Sequence, residues 1–242
     1  MTDCLQERPS LMNTAVGARA DGAPNSLAER IEALRARIAE SARRAGRDPA
    51  VITLVGVTKR QPRESVVEAL AAGLTDVAEN YAQEASEKYA ALPPARKHFI
   101  GHIQTNKAKS IVATFDVVQS IDRLDAGKAI AKAARAANKR VETLVQVNVS
   151  PTDRFGVAPA DAAALATRLR EDEGLVVGGV MAIGPDTENR AEIARAFAKA
   201  AQTFAAVGGS TLSLGMSGDW EEAIGCGSTM LRIGTAIFGE RE

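Results

Sequence analysis

Apolar residues recur at Leu27, Ile31, Leu34 and Ile38, a three-and-four spacing that draws one stripe along a helix. Ser26 stands just before the stripe and Glu29 three residues on, the pair that forms a capping box, so the helix is expected to start at Ser26. Arg43, Arg44, Gly46, Arg47, Asp48 and Pro49 then interrupt the pattern. Beyond them VITLVGVT (51–58) is a continuous apolar run of strand length, as in a strand covered on both faces. The alternation continues to the end of the chain. Further strands are expected in LTDVAEN, HFIGHI, FDVVQS, ETLVQVNVS, LVVGGVMAI, STLSLGM and MLRIG. Helical periodicity is clearest over 122–140, 159–171 and 186–206, where Ile193, Phe197, Ala200 and Phe204 share a face.

Eight strands with crossovers in a chain of 242 residues point to an α/β fold, a single closed parallel (β/α)8 TIM barrel. Closure gives every strand two neighbours and every apolar helix face a wall to cover; a doubly wound open sheet is the alternative. Residues 1–26 mix charges and prolines with short apolar fragments and read as a flexible N-terminal extension, leaving 27–242 as the barrel. They lack the basic head and continuous apolar segment of a secretory signal.

Charge narrows the partners. Thirty Lys plus Arg balance thirty Asp plus Glu, so no global field gathers nucleic acid or an anionic membrane. Nine aromatic residues make a poor stacking surface for bases, and no long apolar run suggests a membrane span. Two cysteines cannot make a disulfide-rich scaffold, and a reducing, cytoplasmic setting is the default expectation. A monomer is expected, with a weak dimer open.

In a parallel barrel, chemistry gathers at the carboxyl ends of the strands. That rule selects Lys59, directly after the first strand, whose amine can attack an aldehyde if it loses some water contact. Taken alone, an exposed surface lysine explains it as well. AENYAQE supplies Glu79, Asn80 and Glu84; Asn80 can donate and accept hydrogen bonds, and Tyr81 or Tyr89 can pack on a flat ligand, or the segment is an ordinary capped loop. His98 and His102 have a metal-like spacing but no H-E-x-x-H context, so structural or cofactor-proximal roles are favoured. Arg123, beside Asp122 and Asp125, can orient an anionic substrate group or form an exposed salt bridge, and Asn148 with Ser150 reads as loop capping. Near the end, LGMSGDWEEAIGCGSTMLRIGTAIFG brings small residues, the hydroxyls of Ser217, Ser228 and Thr235, and Arg232 to the last two strands, where barrels often hold phosphate. Structural glycine turns explain this stretch equally well on its own. It completes neither G-x-S-x-G nor a Walker loop, and Cys226 reads as a core filler.

Together LVGVTK, AENYAQE, HFIGHIQTNKAK, VVQSIDR, LVQVNVS, GVMAI and the long terminal motif resemble the pyridoxal-phosphate homeostasis protein family, racemase-like barrels that bind pyridoxal 5′-phosphate (PLP). The barrel also resembles the N-terminal domain of alanine racemase. The resemblance implies that Lys59 forms a Schiff base with PLP, that Ser217, Gly234 and Thr235 surround its phosphate, and that Arg232 lies near the pyridine nitrogen, with Asn80 also at the cofactor. A permanent guanidinium charge there disfavours protonation of the ring and makes it a weaker electron sink. The resemblance further implies a buffer, carrier or regulator of PLP, with recipient PLP-dependent enzymes as partners, rather than an enzyme. Alanine racemases and ornithine decarboxylases add a β domain carrying an opposing acid, and here the motif ends at Phe238 and Gly239. A racemase or decarboxylase and a nonbinding interaction barrel are the alternatives. Ala78, Arg60, Gln61, Lys97 and Arg154 depart from residues common in the family, which bears on accessory contacts more than on Lys59.

Overall fold

The computed structural model describes residues 26–150, 152 and 154–239. Within them eight parallel strands close a barrel in which each pairs with the next and the last pairs back with the first. The strands are β1 (Thr53–Val57), β2 (Asp76–Glu79), β3 (Arg96–Phe99), β4 (Val117–Ile121), β5 (Glu142–Val147), β6 (Val176–Ala182), β7 (Thr211–Ser213) and β8 (Met230–Ile233). After a first helix, α1 (Leu27–Arg44), one helix follows each strand: α2 (Arg63–Ala71), α3 (Ala82–Lys88), α4 (Ala108–Thr114), α5 (Leu124–Ala136), α6 (Ala162–Glu171), α7 (Arg190–Val207), α8 (Trp220–Gly225) and α9 (Thr235–Phe238). The expected barrel is the observed one. The expected extension lies outside the described residues except for Ser26.

The start of α1 follows from its cap. Ser26 Oγ accepts the Glu29 N–H at 3.2 Å, and the Glu29 carboxylate accepts the Ser26 N–H at 3.0 Å. The helix has a structural task. With four residues, α9 is too short to cover the barrel wall, and α1 lies against it instead. Leu27, Ile31, Leu34 and Ile38 are buried, Arg30 Nε donates to the Ile237 carbonyl at 2.7 Å, and the Arg37 guanidinium lies 5.3 Å over the Trp220 ring.

Several boundaries differ from the sequence pattern: the helix expected over 122–140 spans Leu124–Ala136, and ETLVQVNVS and STLSLGM keep strand pairing only to Val147 and Ser213. HFIGHI contributes only His98 and Phe99 to β3, because a Cβ at Gly101 would stand 1.9 Å from the Asn80 carbonyl oxygen; the chain turns there against its neighbour. Helix α7 starts at Arg190 rather than near Asp186, since Asn189 Oδ1 accepts the N–H groups of both Ala191 and Glu192. Residues 159–161 form a 3-10 turn that leads into α6.

Most of the apolar core lies between strands and helices. The barrel interior is different. Val55, Val57, Ala78 and Met230 form a small apolar cluster there, while His98, Gln119, Ser213 and Arg232 are buried polar residues of the strands.

Candidate functional site

Barrel closure brings the first and last strands side by side, with Val55 opposite Arg232 and Gly56 opposite Ile233. Neighbouring strands run about 4.8 Å apart. The residues that leave β1 and β8 therefore emerge together at the carboxyl rim, although nearly 180 positions separate them in the chain. The contact is direct: a Cβ at Gly234 would stand 3.4 Å from the Val57 carbonyl oxygen.

Lys59 is half-buried in the turn after β1. Gln61 N–H donates to the Thr58 carbonyl at 2.9 Å and closes a four-residue turn, with Arg60 at φ 61°, the left-handed value a type II turn requires at its third residue. For a residue with a Cβ this conformation costs about 1 kcal/mol. It is held by the Arg60 N–H, which donates to Glu84 Oε1 at 2.9 Å.

Beneath this turn sits a buried ion cluster. Lys88 Nζ, on α3, donates to the Thr58 carbonyl at 2.7 Å, to Glu79 Oε2 at 2.8 Å and to Glu84 Oε1 at 2.6 Å. Glu79 is fully buried, and its other oxygen accepts the Asn80 N–H at 2.8 Å. Burial pushes the Glu84 carboxyl up, but the bonds from Lys88 and the Arg60 N–H outweigh it and hold the group below its ordinary value. Tyr89, buried, lies 2.7 Å from Thr58 Oγ1. Burial and the nearby Glu79 and Glu84 charges push its phenol far up, so it stays a donor. Tyr89 belongs to this cluster, and Tyr81 is exposed just before α3.

Arg232, on β8, is buried inside the barrel. Its Nη1 donates to the Ser213 carbonyl at 2.8 Å and to Ser213 Oγ at 2.6 Å, and its Nη2 to the Ala182 carbonyl at 2.8 Å. Burial pushes the guanidinium down to about 10, with Asp219 opposing, so it remains charged at neutral pH. Gly234 and exposed Thr235 follow at the start of α9. Ser217 is exposed in the turn between β7 and α8, where Asp219 Oδ1 accepts the Met216 N–H at 2.6 Å. Asn80 directly follows β2. Its Oδ1 is buried and has no hydrogen-bond partner among the described residues, an arrangement that calls for a further donor.

Residues 30–242 match the family model for the alanine racemase N-terminal domain. A pyridoxal phosphate homeostasis protein of Pseudomonas aeruginosa is 44% identical over 223 residues, covering 90% of this chain and 97% of the relative. One from Escherichia coli is 37% identical over 232 residues, with 90% and 98% covered. The chain belongs to the pyridoxal phosphate homeostasis protein family. PipY of Synechococcus elongatus, solved with PLP bound, is 31% identical with a TM-score of 0.78, covering 88% of this chain and 100% of that one. D-threonine aldolase from Filomicrobium marinum, at 18% identity and TM-score 0.72, shares the fold.

The remaining candidates in this homeostasis-family chain have local tasks. Arg123 pairs with Asp122 and Asp125 and donates to the Ile103 carbonyl, and Asn148 accepts the Ser150 N–H as a loop cap. The two histidines part company. His98 lies inside the barrel with both ring nitrogens bonded, to Asp76 and Gln119. His102 is exposed and stacks on Phe155 at 4.1 Å. Phe155 in turn lines a cavity of about 530 Å³ with Arg154, Asn148 and Ile183 at the carboxyl ends of β5 and β6. Lys88 had a signal in the sequence that periodicity alone exposes: at 82, 85 and 88 it continues the buried stripe of α3, and a lysine on a buried stripe requires partners. Asp76, Gln119 and Ser213 carried no such mark.

Proposed function

We propose that the chain binds PLP reversibly through Lys59 and serves PLP homeostasis in the cytoplasm, as a buffer and carrier that supplies recipient PLP-dependent enzymes. PLP contributes a reactive aldehyde, a ring nitrogen and a phosphate. The Lys59 amine is the nucleophile toward the aldehyde carbon. Ser217, Gly234 and Thr235 hold the phosphate, the glycine allowing close approach of the backbone and the hydroxyls donating. Arg232 donates toward the ring nitrogen, and Asn80 Oδ1 would accept from the hydroxyl of the PLP ring. The donor set fits this group. Three of the five N–H groups of Arg232 have acceptors among the described residues, and the orphaned Asn80 oxygen is the polar atom left to be satisfied.

The observation that carries the reading is the junction of β1 with β8, which sets the lysine turn beside Gly234 and Thr235. The PLP-bound state of PipY, similar over its whole length, supports it. A guanidinium rather than a carboxylate at the ring nitrogen leaves the ring a weak electron sink, which suits storage better than turnover. The test is titration of ligand-cleared protein with PLP, borohydride reduction and peptide mass mapping. Lys59 carries the reduced adduct and Lys59→Ala abolishes it. An adduct found only on another lysine refutes the assignment, and Lys59-dependent turnover of an amino acid in a chiral assay refutes the non-enzymatic role.

A further inference from the structure

A line of hydrogen bonds crosses the barrel interior from Arg232 to Asp76. Arg232 Nη1 donates to Ser213 Oγ at 2.6 Å, and Ser213 Oγ donates to Gln119 Oε1 at 2.7 Å. Gln119 Nε2 lies 2.9 Å from His98 Nδ1, and His98 Nε2 lies 2.9 Å from Asp76 Oδ1. Five strands contribute one residue each, and all five residues are buried.

The direction of this line is set at both ends. A guanidinium only donates and a carboxylate only accepts. The Ser213 hydroxyl accepts from Arg232 and donates its one proton to Gln119 Oε1, and the amide nitrogen then faces His98 and Met230 Sδ, 3.2 Å away. His98 thus accepts at Nδ1 and carries its proton on Nε2, where it donates to Asp76. Burial raises the Asp76 carboxyl, and the bonds from His98 and Thr75 reverse this and keep it ionised. Every dipole in the line presents its negative end to Arg232, so the buried cation is stabilised with no carboxylate among the described residues hydrogen-bonded to it.

We propose that Gln119 and His98 are positioning residues for Arg232: they fix the Ser213 hydroxyl as an acceptor, lock the guanidinium in one orientation, and leave its spare N–H groups to the ligand. A carboxylate bonded to Arg232 would compete with the ligand for those donors; a relay ending at Asp76 stabilises the charge without that competition. The inference rests on the reading of Arg232 as the group facing the PLP ring nitrogen.

Two measurements test it, one of them without PLP. In ligand-free protein, nitrogen-15 NMR of the imidazoles at mildly alkaline pH assigns His98 by loss of its signals in His98→Asn. The relay requires the Nε2–H tautomer, and an Nδ1–H tautomer overturns it. In PLP titrations, Gln119→Leu and His98→Leu weaken binding about tenfold and shift the absorbance of bound PLP while the reduced Lys59 adduct still forms. His98→Asn, which keeps an acceptor for Gln119, stays near the parent. Ser213→Ala cuts the line while sparing the backbone bond to Arg232, and it replaces any leucine variant whose denaturation profile shows that it has not folded. Parent affinity and spectrum in a folded Gln119→Leu or Ser213→Ala protein overturn the proposal, as does equal loss in His98→Asn and His98→Leu. If the parent itself binds no PLP, the functional reading fails, and the tautomer still decides whether the relay exists.

Discussion

Replacing Lys88 by methionine removes a cation that three acceptors share and keeps most of the side-chain volume. In the parent, Nζ lies 2.8 Å from Glu79 Oε2, and Glu79 is fully buried. Removing one partner of a buried ion pair leaves an uncompensated charge and costs about 3–5 kcal/mol. The lower end is expected here, because Glu79 keeps the Asn80 N–H as a donor and Glu84, at 32% side-chain exposure, can turn to water. Each kcal/mol lowers the melting temperature by roughly 2–4 °C in a domain of this size, so Lys88→Met is expected to melt on the order of 10 °C below the parent. The design closes on the double variant Glu79→Met/Lys88→Met. Exchange of a whole buried pair for apolar side chains is often neutral or stabilising, so the double variant is expected to recover most of the loss. Urea and thermal denaturation of the parent, both single variants and the double give the cycle. A Lys88→Met protein within about 0.5 kcal/mol of the parent, or a double variant no more stable than Lys88→Met, refutes the reasoning. The same protein tests a functional link. Lys88 holds the Thr58 carbonyl immediately before Lys59, so a folded Lys88→Met variant is expected to form the reduced PLP adduct more slowly.

Two further outcomes follow from local geometry. Asp76 and Glu84 both sit below their ordinary values in the folded chain; a depressed folded value means stability held above the unfolded carboxylate range and lost as pH falls through the folded one, beginning near about pH 5. Urea midpoints measured from neutral to acid pH are expected to drop along this course, and Asp76→Asn to flatten it; an unchanged slope in that variant removes Asp76 as a cause. Gly101→Ala places a methyl 1.9 Å from the Asn80 carbonyl oxygen, a backbone atom that cannot step aside alone. Overpacking of this kind costs about 1–3 kcal/mol, and because Asn80 moves with it, weaker PLP binding is expected alongside the lower urea midpoint.

Periodicity carried the barrel because burial on both faces favours apolar runs such as VITLVGVT and LVVGGVMAI, and eight strand candidates with crossovers favoured closure over a doubly wound open sheet. Strand limits were less legible where a neighbour rather than the strand itself decides them: Gly101 turns the chain at the Asn80 carbonyl, and no feature of HFIGHI announces that carbonyl. The same division holds at the site. Lys59, Asn80, Ser217, Gly234 and Thr235 follow strands, Arg232 lies one residue before the end of β8, and all could be selected by position along the chain. Lys88 stands far enough into α3 that only its place on the buried stripe marks it.

The barrel interior marks the limit of such reading, and for a physical reason. In a strand covered on both faces, polar residues are the exceptions, and where a strand carries more than one the local pattern does not say which enters the barrel. Gln119 stands beside Ser120 in VVQSI, Ser213 shares TLS with Thr211, and His98 follows Arg96 and Lys97 in RKHF. Burying any one of them alone would cost several kcal/mol, so none is tolerable without the others. Only barrel closure brings β2, β3, β4, β7 and β8 around one axis, where each exception becomes the partner of the next and the line ends on a cation at one side and a carboxylate at the other. The requirement that sets these residues is therefore a property of the closed sheet, and an aromatic or aliphatic residue at any one position leaves two buried partners unsatisfied at once.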